Sequence, residues 1–222
     1  MAHYAPDMQI DIREVENNFY LRSHPGRLGK LIAHYELYKK ACDLPGAVVE
    51  LGVFKGASLA RFASFRAMCE NDHSRPIYGF DAFGAFPRTQ VTGDADSRFI
   101  DGFEAMGGDG ISKANLDALL AAKGFSNISL IEGDIFSTLD PFLEANPYLR
   151  VALLHLDMDV YEPTAFAIDR LLPRMVRGGL VLFDDYAMVE GATRAAEEMC
   201  ERFQLKLNKL GHYAVPSYAV IP

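Results

Sequence analysis

The sequence has few cysteines, and their arrangement argues against a disulfide scaffold or a zinc site. The 222 residues include three cysteines, Cys42, Cys69 and Cys200, which are far apart and odd in number. A disulfide framework or a cysteine-based zinc site requires closely and regularly spaced cysteines. We therefore interpret these three as reduced thiols of the core, and we expect any metal to be held by oxygen ligands.

Positive charge is also scarce, and long apolar runs are missing. There are 22 Lys and Arg against 30 Asp and Glu, giving a formal net charge of -8, and no basic run. A nucleic-acid surface usually needs a basic patch. No stretch reaches the ~18 apolar residues of a membrane span, and residues 1–13 have no apolar segment typical of a signal peptide. We expect a cytoplasmic protein without nucleic-acid or membrane partners.

The remaining composition is that of a folded domain, since half of the residues are hydrophobic and 23% are charged. Residues 1–27 are polar and are predicted to form a loosely attached arm or a short helix. In residues 28–222, strand-like apolar runs alternate with helical patterns five times, which predicts a doubly wound, mostly parallel α/β sheet with helices on both faces. Residues 205–207 and 217–221 are predicted to form a closing hairpin.

Two segments of this domain have further expectations attached to them. A helix starting near Arg27 is predicted to bury one apolar face, made of Leu28, Leu31, Ile32, Tyr35 and Tyr38. Residues 82–112 are glycine-rich and form a long connection, and such connections often act as lids. We interpret this segment as a mobile lid with one short helix, on which Phe99, Phe103 and Met106 align.

Two of the predicted strands end in pairs of acids. Asp157 and Asp159 follow the apolar run 153–156, and Asp184 and Asp185 follow the run 179–183. The carboxyl ends of parallel strands meet at the edge where α/β sheets bind ligands, so these acids are predicted to lie together. Carboxylates favour Mg²⁺ or Mn²⁺ over zinc. Crowded carboxylates without a cation would raise one another's pKa, which is itself a reason to expect the ion.

A glycine-containing turn follows the first strand and opens a helix, which is the position of a nucleotide-binding turn. Its sequence is Glu50-Leu-Gly52-Val-Phe-Lys-Gly56. Glu50 replaces the first glycine of the dinucleotide fingerprint, which disfavours a pyrophosphate and suits a cationic or hydroxyl-bearing ligand. Gly52 is expected to let the backbone pass close to a ligand, and Gly56 to allow close helix approach. The alternative is an ordinary strand-to-helix turn.

Two further acids end neighbouring strands. Asp81 lies where an acid accepts hydrogen bonds from ribose hydroxyls in folds of this kind. Asp134 either caps the helix beginning at Ile135 or reaches an adenine amino group. Each signal is weak alone, but the set in register along one sheet edge predicts a nucleoside-containing cofactor.

Together these motifs resemble the macrocin O-methyltransferase family. The resemblance covers about residues 28–222 and rests on the glycine turn, Phe80-Asp81-Ala-Phe83-Gly-Ala-Phe86-Pro87, Glu132-Gly133-Asp134, Leu156-Asp157-Met158-Asp159-Val-Tyr161-Glu-Pro163-Thr164 and Gly178-Gly179-Leu-Val-Leu-Phe-Asp184-Asp185-Tyr186. It implies a Rossmann-like class I methyltransferase fold with seven strands, the last antiparallel. It also implies S-adenosylmethionine and a divalent metal as cofactors.

The resemblance implies residue roles as well. Asp157, Asp184 and Asp185 resemble the magnesium ligands, and Asp159, with Asp157 as its catalytic partner, resembles the acid that acts near the acceptor hydroxyl. The resemblance and the turn together predict these cofactor contacts: Glu50, Gly52, Gly56, Ser58, Asp81, Asp134 and Asp157. Two departures, Met158 where antibiotic enzymes commonly carry glycine and a short N-terminal arm, bear on the acceptor rather than the cofactor.

The expected function is transfer of a methyl group to a hydroxyl of a small molecule, either a sugar or an aromatic compound, by a homo-oligomeric enzyme. The proton acceptor would be Asp159 or His155, although His155 also fits a core histidine and Asp159 a cap of the helix near Pro163. The alternatives are an NAD-dependent oxidoreductase, which Glu50 argues against, and a methyltransferase-like module without catalysis.

Overall fold

A six-stranded sheet forms the centre of the computed structural model, which describes residues 3–88, 90–108 and 110–222. The strands are β1 (Ala47–Leu51), β2 (Ile77–Asp81), β3 (Ile128–Glu132), β4 (Val151–Leu156), β5 (Met175–Phe183) and β6 (Ser217–Val220). Their order is β3-β2-β1-β4-β5-β6, and every neighbouring pair is parallel except β5 with β6. The predicted mostly parallel α/β sheet with an antiparallel last strand is confirmed.

Helices cover both faces of this sheet. Within the described residues they are α1 (Ile12–Arg22), α2 (Pro25–Ala41), α3 (Ala57–Cys69), α4 (Asp94–Gly107), α5 (Lys113–Ala122), α6 (Ile135–Ala145), α7 (Tyr161–Leu171) and α8 (Glu190–Arg202), with a 3-10 turn at Leu172–Arg174. Buried residues of α2, α3 and α5 share one hydrophobic cluster, and those of α6, α7 and α8 share a second. Because side chains alternate along a strand, the central strands contribute to both clusters.

The sheet register brings the predicted site residues to one edge. Glu50 on β1 lies opposite His155 on β4, and His155 lies opposite Leu182 on β5. These three strands therefore end at the same level, and the residues that follow them, including Asp157 and Asp184, emerge at one edge. Side chains two residues apart in a strand share a face, so Glu50, His155 and Asp184 project toward α2 and α3.

The predicted seventh strand is wrong. Residues 205–207 do not pair as a strand; only Asn208 forms a bridge, exchanging two hydrogen bonds of 2.8 Å with Tyr218. The backbone N–H of Leu205 instead donates to Cys200 at the end of α8. Because Leu205 and Leu207 pack against the second cluster, side-chain burial replaces ladder pairing in this segment.

The predicted apolar face of the first domain helix is right in part, because Tyr38 is buried and Leu31 and Tyr35 pack against the first cluster. In α2 the buried residues are Ala33, His34, Leu37, Tyr38 and Ala41, whereas Ile32 is 46% exposed. Small residues let the helix approach the sheet closely, and the ring of His34 stacks on Phe62 of α3. The helix is therefore rotated relative to the face that hydrophobicity alone selects.

The sequence pattern of residues 164–175 predicts a helix there, and the structure gives this helix different bounds. It begins earlier as α7 at Tyr161 and ends at Leu171, because Pro173 lies in the following 3-10 turn and lacks the N–H of a continuing helix. The chain then enters β5 at Met175. One thiol prediction also fails: Cys69 is exposed, whereas Cys42 and Cys200 are partly buried.

The arm and the lid each contain one helix, as expected for both segments. Helix α1 buries none of its residues, whereas Tyr4 before it donates its backbone N–H to Gly110 at 2.9 Å, so the loose attachment of the arm stays a prediction. In the lid, α4 places Phe103 against Phe54, Phe86 and Phe99, but Met106 is 87% exposed and does not join them. The mobility of the lid stays a prediction. No helix among the described residues has the length and apolarity required to cross a membrane.

Candidate active site

Three carboxylates meet at the carboxyl ends of β4 and β5. Asp157 follows β4, and Asp184 and Asp185 follow β5, with one ligand atom of each within 4.8 Å of the others. The juxtaposition that the sequence predicted is therefore present in the structure. Their ligand role itself stays a prediction.

The electrostatics of this cluster favour a cation. Burial raises the pKa of Asp157, and the neighbouring charges of Asp184 and Asp185 raise it further. Burial and the charges of Asp159 and Asp184 likewise hold the pKa of Asp185 well above its usual range. A divalent ion would remove this repulsion, and an all-carboxylate set suits Mg²⁺ or Mn²⁺. The donor set therefore fits the metal that the family resemblance implies.

His155 joins two buried acids. The fully buried ring lies with Nδ1 3.1 Å from Glu50 Oε1 and Nε2 3.4 Å from Asp184 Oδ1. Burial would lower the pKa of His155, but the hydrogen bonds with Asp184 and Glu50 outweigh it and raise the pKa to about 10. An imidazolium that donates both N–H groups cannot accept a proton, so the structure favours the core-histidine interpretation over a catalytic base.

Glu50 is more buried than a simple ligand contact requires. It is completely inaccessible to solvent and does not line the large cavity at this edge. Its Oε1 faces His155, whereas its Oε2 has no hydrogen-bond partner among the described residues. A buried carboxylate oxygen without a partner is costly, so this atom fits a cofactor that offers a hydroxyl or cationic donor.

The cavity beside the cluster has a volume of about 560 Å³. Of the predicted site residues, Gly52, Asp81, Asp134, Asp157 and Asp159 line it. Glu50, Gly56, Ser58, Asp184 and Asp185 do not. Five phenylalanines, Phe54, Phe80, Phe86, Phe103 and Phe136, contribute to its remaining wall beside polar residues such as Arg88 and Glu104. The volume and composition fit a nucleoside-containing ligand with room for a second, mainly apolar molecule.

Asp81 organises the loops that form this cavity. Its Oδ2 accepts hydrogen bonds of 2.8 Å from the backbone N–H groups of Val53 and Phe54, and its Oδ1 accepts one of 2.6 Å from Phe83. Asp134 caps α6 by accepting a hydrogen bond from Phe136 N at 3.0 Å. The cap predicted for Asp134 is therefore present, and both acids also face the cavity.

At both glycines of the turn, a side chain would collide with a neighbouring part of the structure. A Cβ on Gly52 would lie 1.7 Å from the backbone oxygen of Asp157, and the residue has a φ of +89°. Gly52 thus permits contact between two chain segments; it also lines the cavity, and its close approach to a ligand stays a prediction. A Cβ on Gly56 would lie 2.7 Å from Leu116 of α5, which agrees with the predicted close helix approach.

Asp159 does not cap the helix that follows it. Val160 is the N-cap of α7, with no side-chain cap, so the capping alternative is wrong. Asp159 lines the cavity, has a φ of +64°, and donates its backbone N–H to Asp185 Oδ2 at 3.2 Å. Burial and the charge of Asp157 raise the pKa of Asp159 to about 8. A carboxyl with this pKa can exchange a proton near neutral pH.

Two residues of α2 reach the site without having been predicted there. Lys30 Nζ donates to Asp184 Oδ2 at 2.5 Å, and His34 Nε2 lies 3.6 Å from Asp184 Oδ1. Burial lowers the pKa of His34 to about 4, so it is neutral. Their spacing of four residues placed both on one helical face, and this was the signal available in the sequence.

Comparison with known proteins decides the family. The sequence profile of the macrocin-O-methyltransferase (TylF) family matches residues 27–212. The chain belongs to this family. Most of the chain lies inside the match, and the predicted resemblance is confirmed.

Relatives in this family are named as O-methyltransferases. The 8-demethyl-8-(2,3-dimethoxy-alpha-L-rhamnosyl)-tetracenomycin-C 4'-O-methyltransferase of Streptomyces olivaceus is 31% identical over 153 residues, which are 67% of this chain and 56% of that protein. The mycinamicin III 3''-O-methyltransferase of Micromonospora griseorubida is 26% identical over 153 residues, which are 65% of this chain and 57% of that protein. The chain thus spans less than two thirds of the length of these curated relatives.

Solved structures share the architecture. The crystal structure of the calicheamicin methyltransferase CalS11 is 29% identical and superposes with a TM-score of 0.74, covering 96% of this chain and 87% of that one. The O-methyltransferase NovP, at 21% identity, superposes with a TM-score of 0.72 over 86% of this chain and 78% of its own, and it supports the fold alone. The class I methyltransferase fold is confirmed, with six strands in the described residues where seven were expected.

Proposed function

We propose that this protein is an S-adenosylmethionine- and Mg²⁺-dependent O-methyltransferase acting on a hydroxyl of a small natural product. The observation that carries the proposal is the cluster of Asp157, Asp184 and Asp185 at the edge of a 560 Å³ cavity. The membership of the chain in an O-methyltransferase family supports methyl transfer to a hydroxyl as the reaction. A relative named for a rhamnosyl-bearing compound supports a glycosylated acceptor, and an aromatic acceptor is the other expectation.

The cofactor would lie along the wall formed by Gly52, Asp81 and Asp134. S-adenosylmethionine supplies a methyl group on a cationic sulfonium. Asp81 holds the turn after β1 in place through its backbone hydrogen bonds and presents negative charge to the cavity. The partnerless oxygen of Glu50 supports a donor-bearing group near the end of β1. These residues would bind the cofactor and orient its methyl group, which is the main contribution that an in-line displacement requires from the protein.

The acceptor would lie between the carboxylate cluster and the aromatic lid residues. Asp157, Asp184 and Asp185 would hold a Mg²⁺ ion, which supplies Lewis acidity toward an acceptor oxygen. Asp159 would take the hydroxyl proton on its carboxylate, because its raised pKa near 8 makes it a stronger base than an ordinary aspartate. Phe86 and Phe103 line the same cavity and would exclude water from the reacting groups.

Chelation tests the metal dependence. We expect excess EDTA to abolish methyl transfer to a glycosylated polyketide or phenolic acceptor, because the acceptor oxygen would lose the Lewis acid held by the three acids. Addition of Mg²⁺ or Mn²⁺ should restore the transfer. The measurement is transfer of a labelled methyl group from S-adenosylmethionine. Activity that persists in EDTA would contradict the metal role. Absence of transfer with every acceptor, despite cofactor binding, would favour the non-catalytic binding module.

Cofactor binding gives a second prediction. Asp81→Ala should weaken binding of S-adenosylhomocysteine by about tenfold to a hundredfold, since hydrogen bonds to a charged group contribute ~1.5–3 kcal/mol. Titration calorimetry measures the change. Asp81→Asn, which retains one oxygen acceptor, should fall between wild type and Asp81→Ala. An unchanged affinity in Asp81→Ala would exclude this acid from the cofactor site, and stabilisation by NAD instead would favour the oxidoreductase.

A further inference from the structure

Both oxygens of Asp184 face side chains of the protein. Oδ2 accepts a hydrogen bond of 2.5 Å from Lys30 Nζ, and Oδ1 lies 3.4 Å from His155 Nε2 and 3.6 Å from His34 Nε2. Within the described part of the chain, Lys30 is the one lysine or arginine that forms an ion pair with any of the three clustered carboxylates. An ammonium group therefore occupies one of the two oxygens through which Asp184 could hold a divalent ion.

Lys30 is placed so that it can leave. Its side chain is 27% exposed, whereas that of Asp184 is 6% exposed, so the ammonium lies between the buried carboxylates and the solvent. A lysine has a flexible four-carbon stem and a strongly hydrated head group. Rotation of this stem would release Oδ2 without moving α2, whose buried face is held by Ala33 and Leu37.

We infer that Lys30 is an internal counter-ion of the carboxylate cluster, which must leave Asp184 before a divalent ion binds and thereby sets metal affinity. This inference rests on the proposed metal-dependent function. The three acids lie with ligand atoms within 4.8 Å of one another, and the Lys30 ammonium offsets the charge of Asp184 on the oxygen that His155 does not face. A divalent ion on the same carboxylate would repel that ammonium. Because His155 and His34 occupy the other side of Asp184, Oδ2 is the oxygen available to a metal.

The opposite interpretation makes the opposite prediction. If Lys30 instead held Asp184 in a geometry that the metal needs, its removal would weaken metal binding. If Lys30 competes with the metal, its removal strengthens metal binding and destabilises the metal-free protein, in which Asp184 Oδ2 then has no cationic partner among the described residues. The sign of the change in metal affinity therefore separates a competitor from a positioning residue.

The experiment is a titration of the purified full chain with Mn²⁺, in which electron paramagnetic resonance measures the free Mn²⁺ at each step. We expect Lys30→Met to bind Mn²⁺ about tenfold more tightly than wild type, since adjacent like charges are strongly unfavourable. We also expect a lower melting temperature without metal and a larger rise when Mn²⁺ is added. Lys30→Arg keeps the charge and should not tighten binding. Lys113→Met, which removes the surface pair with Asp117 on α5, is the matched control and should match wild type.

The outcomes separate this inference from the proposed function. Equal or weaker Mn²⁺ binding in Lys30→Met, with binding in wild type intact, overturns the counter-ion role and leaves the metal-dependent function standing. Absence of Mn²⁺ binding in both proteins overturns both. Should Lys30→Met fail to fold, Lys30→Gln carries the same prediction with a polar side chain of similar length.

Discussion

Asp157→Asn is expected to lower the turnover of methyl transfer by about a thousandfold or more, while S-adenosylhomocysteine binds within about threefold of its wild-type affinity. The substitution keeps the shape of the side chain but removes a charge and one oxygen ligand from the cluster at the end of β4. Metal-ion stabilisation of a transition state is worth several kcal/mol, and each ~1.4 kcal/mol is a factor of ten in rate.

The test compares single-turnover methyl transfer with cofactor affinity in the same preparation. Asp140→Asn is the matched control, because Asp140 is a half-exposed acid on α6 that pairs with Arg170; it should retain both properties. Loss of turnover and of cofactor binding together in Asp157→Asn would mean that the metal and cofactor halves of the site have been misassigned. Full turnover would exclude Asp157 as a ligand.

The proximity of the acids that follow β4 and β5 could be predicted, because it follows from two rules that apply to the sequence alone. Apolar runs ending in acids predicted strands, and parallel strands deliver their carboxyl ends to one edge. Asp157 and Asp184 therefore had to be near each other once β4 and β5 were neighbours. The register that places Glu50 opposite His155 was not visible, because it depends on which strands pair and on the first residue of each pairing.

The contributions of α2 could not be predicted in the same way. Hydrophobicity selected a face with Ile32, but the helix buries Ala33 and His34, since close approach to the sheet favours small residues and the ring of His34 stacks on Phe62. Lys30 was thus assigned to no site although it contacts Asp184. The backbone role of Asp81 was hidden for another reason: its partners are amide groups, which every sequence contains and no sequence pattern identifies.

The second large effect concerns Gly52 and links stability to the site. Gly52→Ala is expected to lower the free energy of unfolding by about 3 kcal/mol or more, because it combines a positive φ with a steric clash. The new Cβ would lie 1.7 Å from the backbone oxygen of Asp157, which is far inside van der Waals contact. The turn after β1 and the segment after β4 would have to separate, and Asp157 would move with them.

Gly102→Ala is the matched control for this substitution. Gly102 lies inside α4, and a Cβ there meets nothing within 4 Å, so alanine should stabilise the protein by ~0.5–1 kcal/mol through its helix propensity. Urea denaturation of both variants measures the two changes in free energy, and loss of soluble Gly52→Ala protein with normal yields of Gly102→Ala points the same way. If the midpoint of urea unfolding of Gly52→Ala equalled that of the wild type, the turn after β1 and the segment after β4 would not be in contact at Gly52. Since the same contact holds Asp157 beside the cavity, a destabilised but folded Gly52→Ala should also lose metal affinity, whereas Gly102→Ala should retain it.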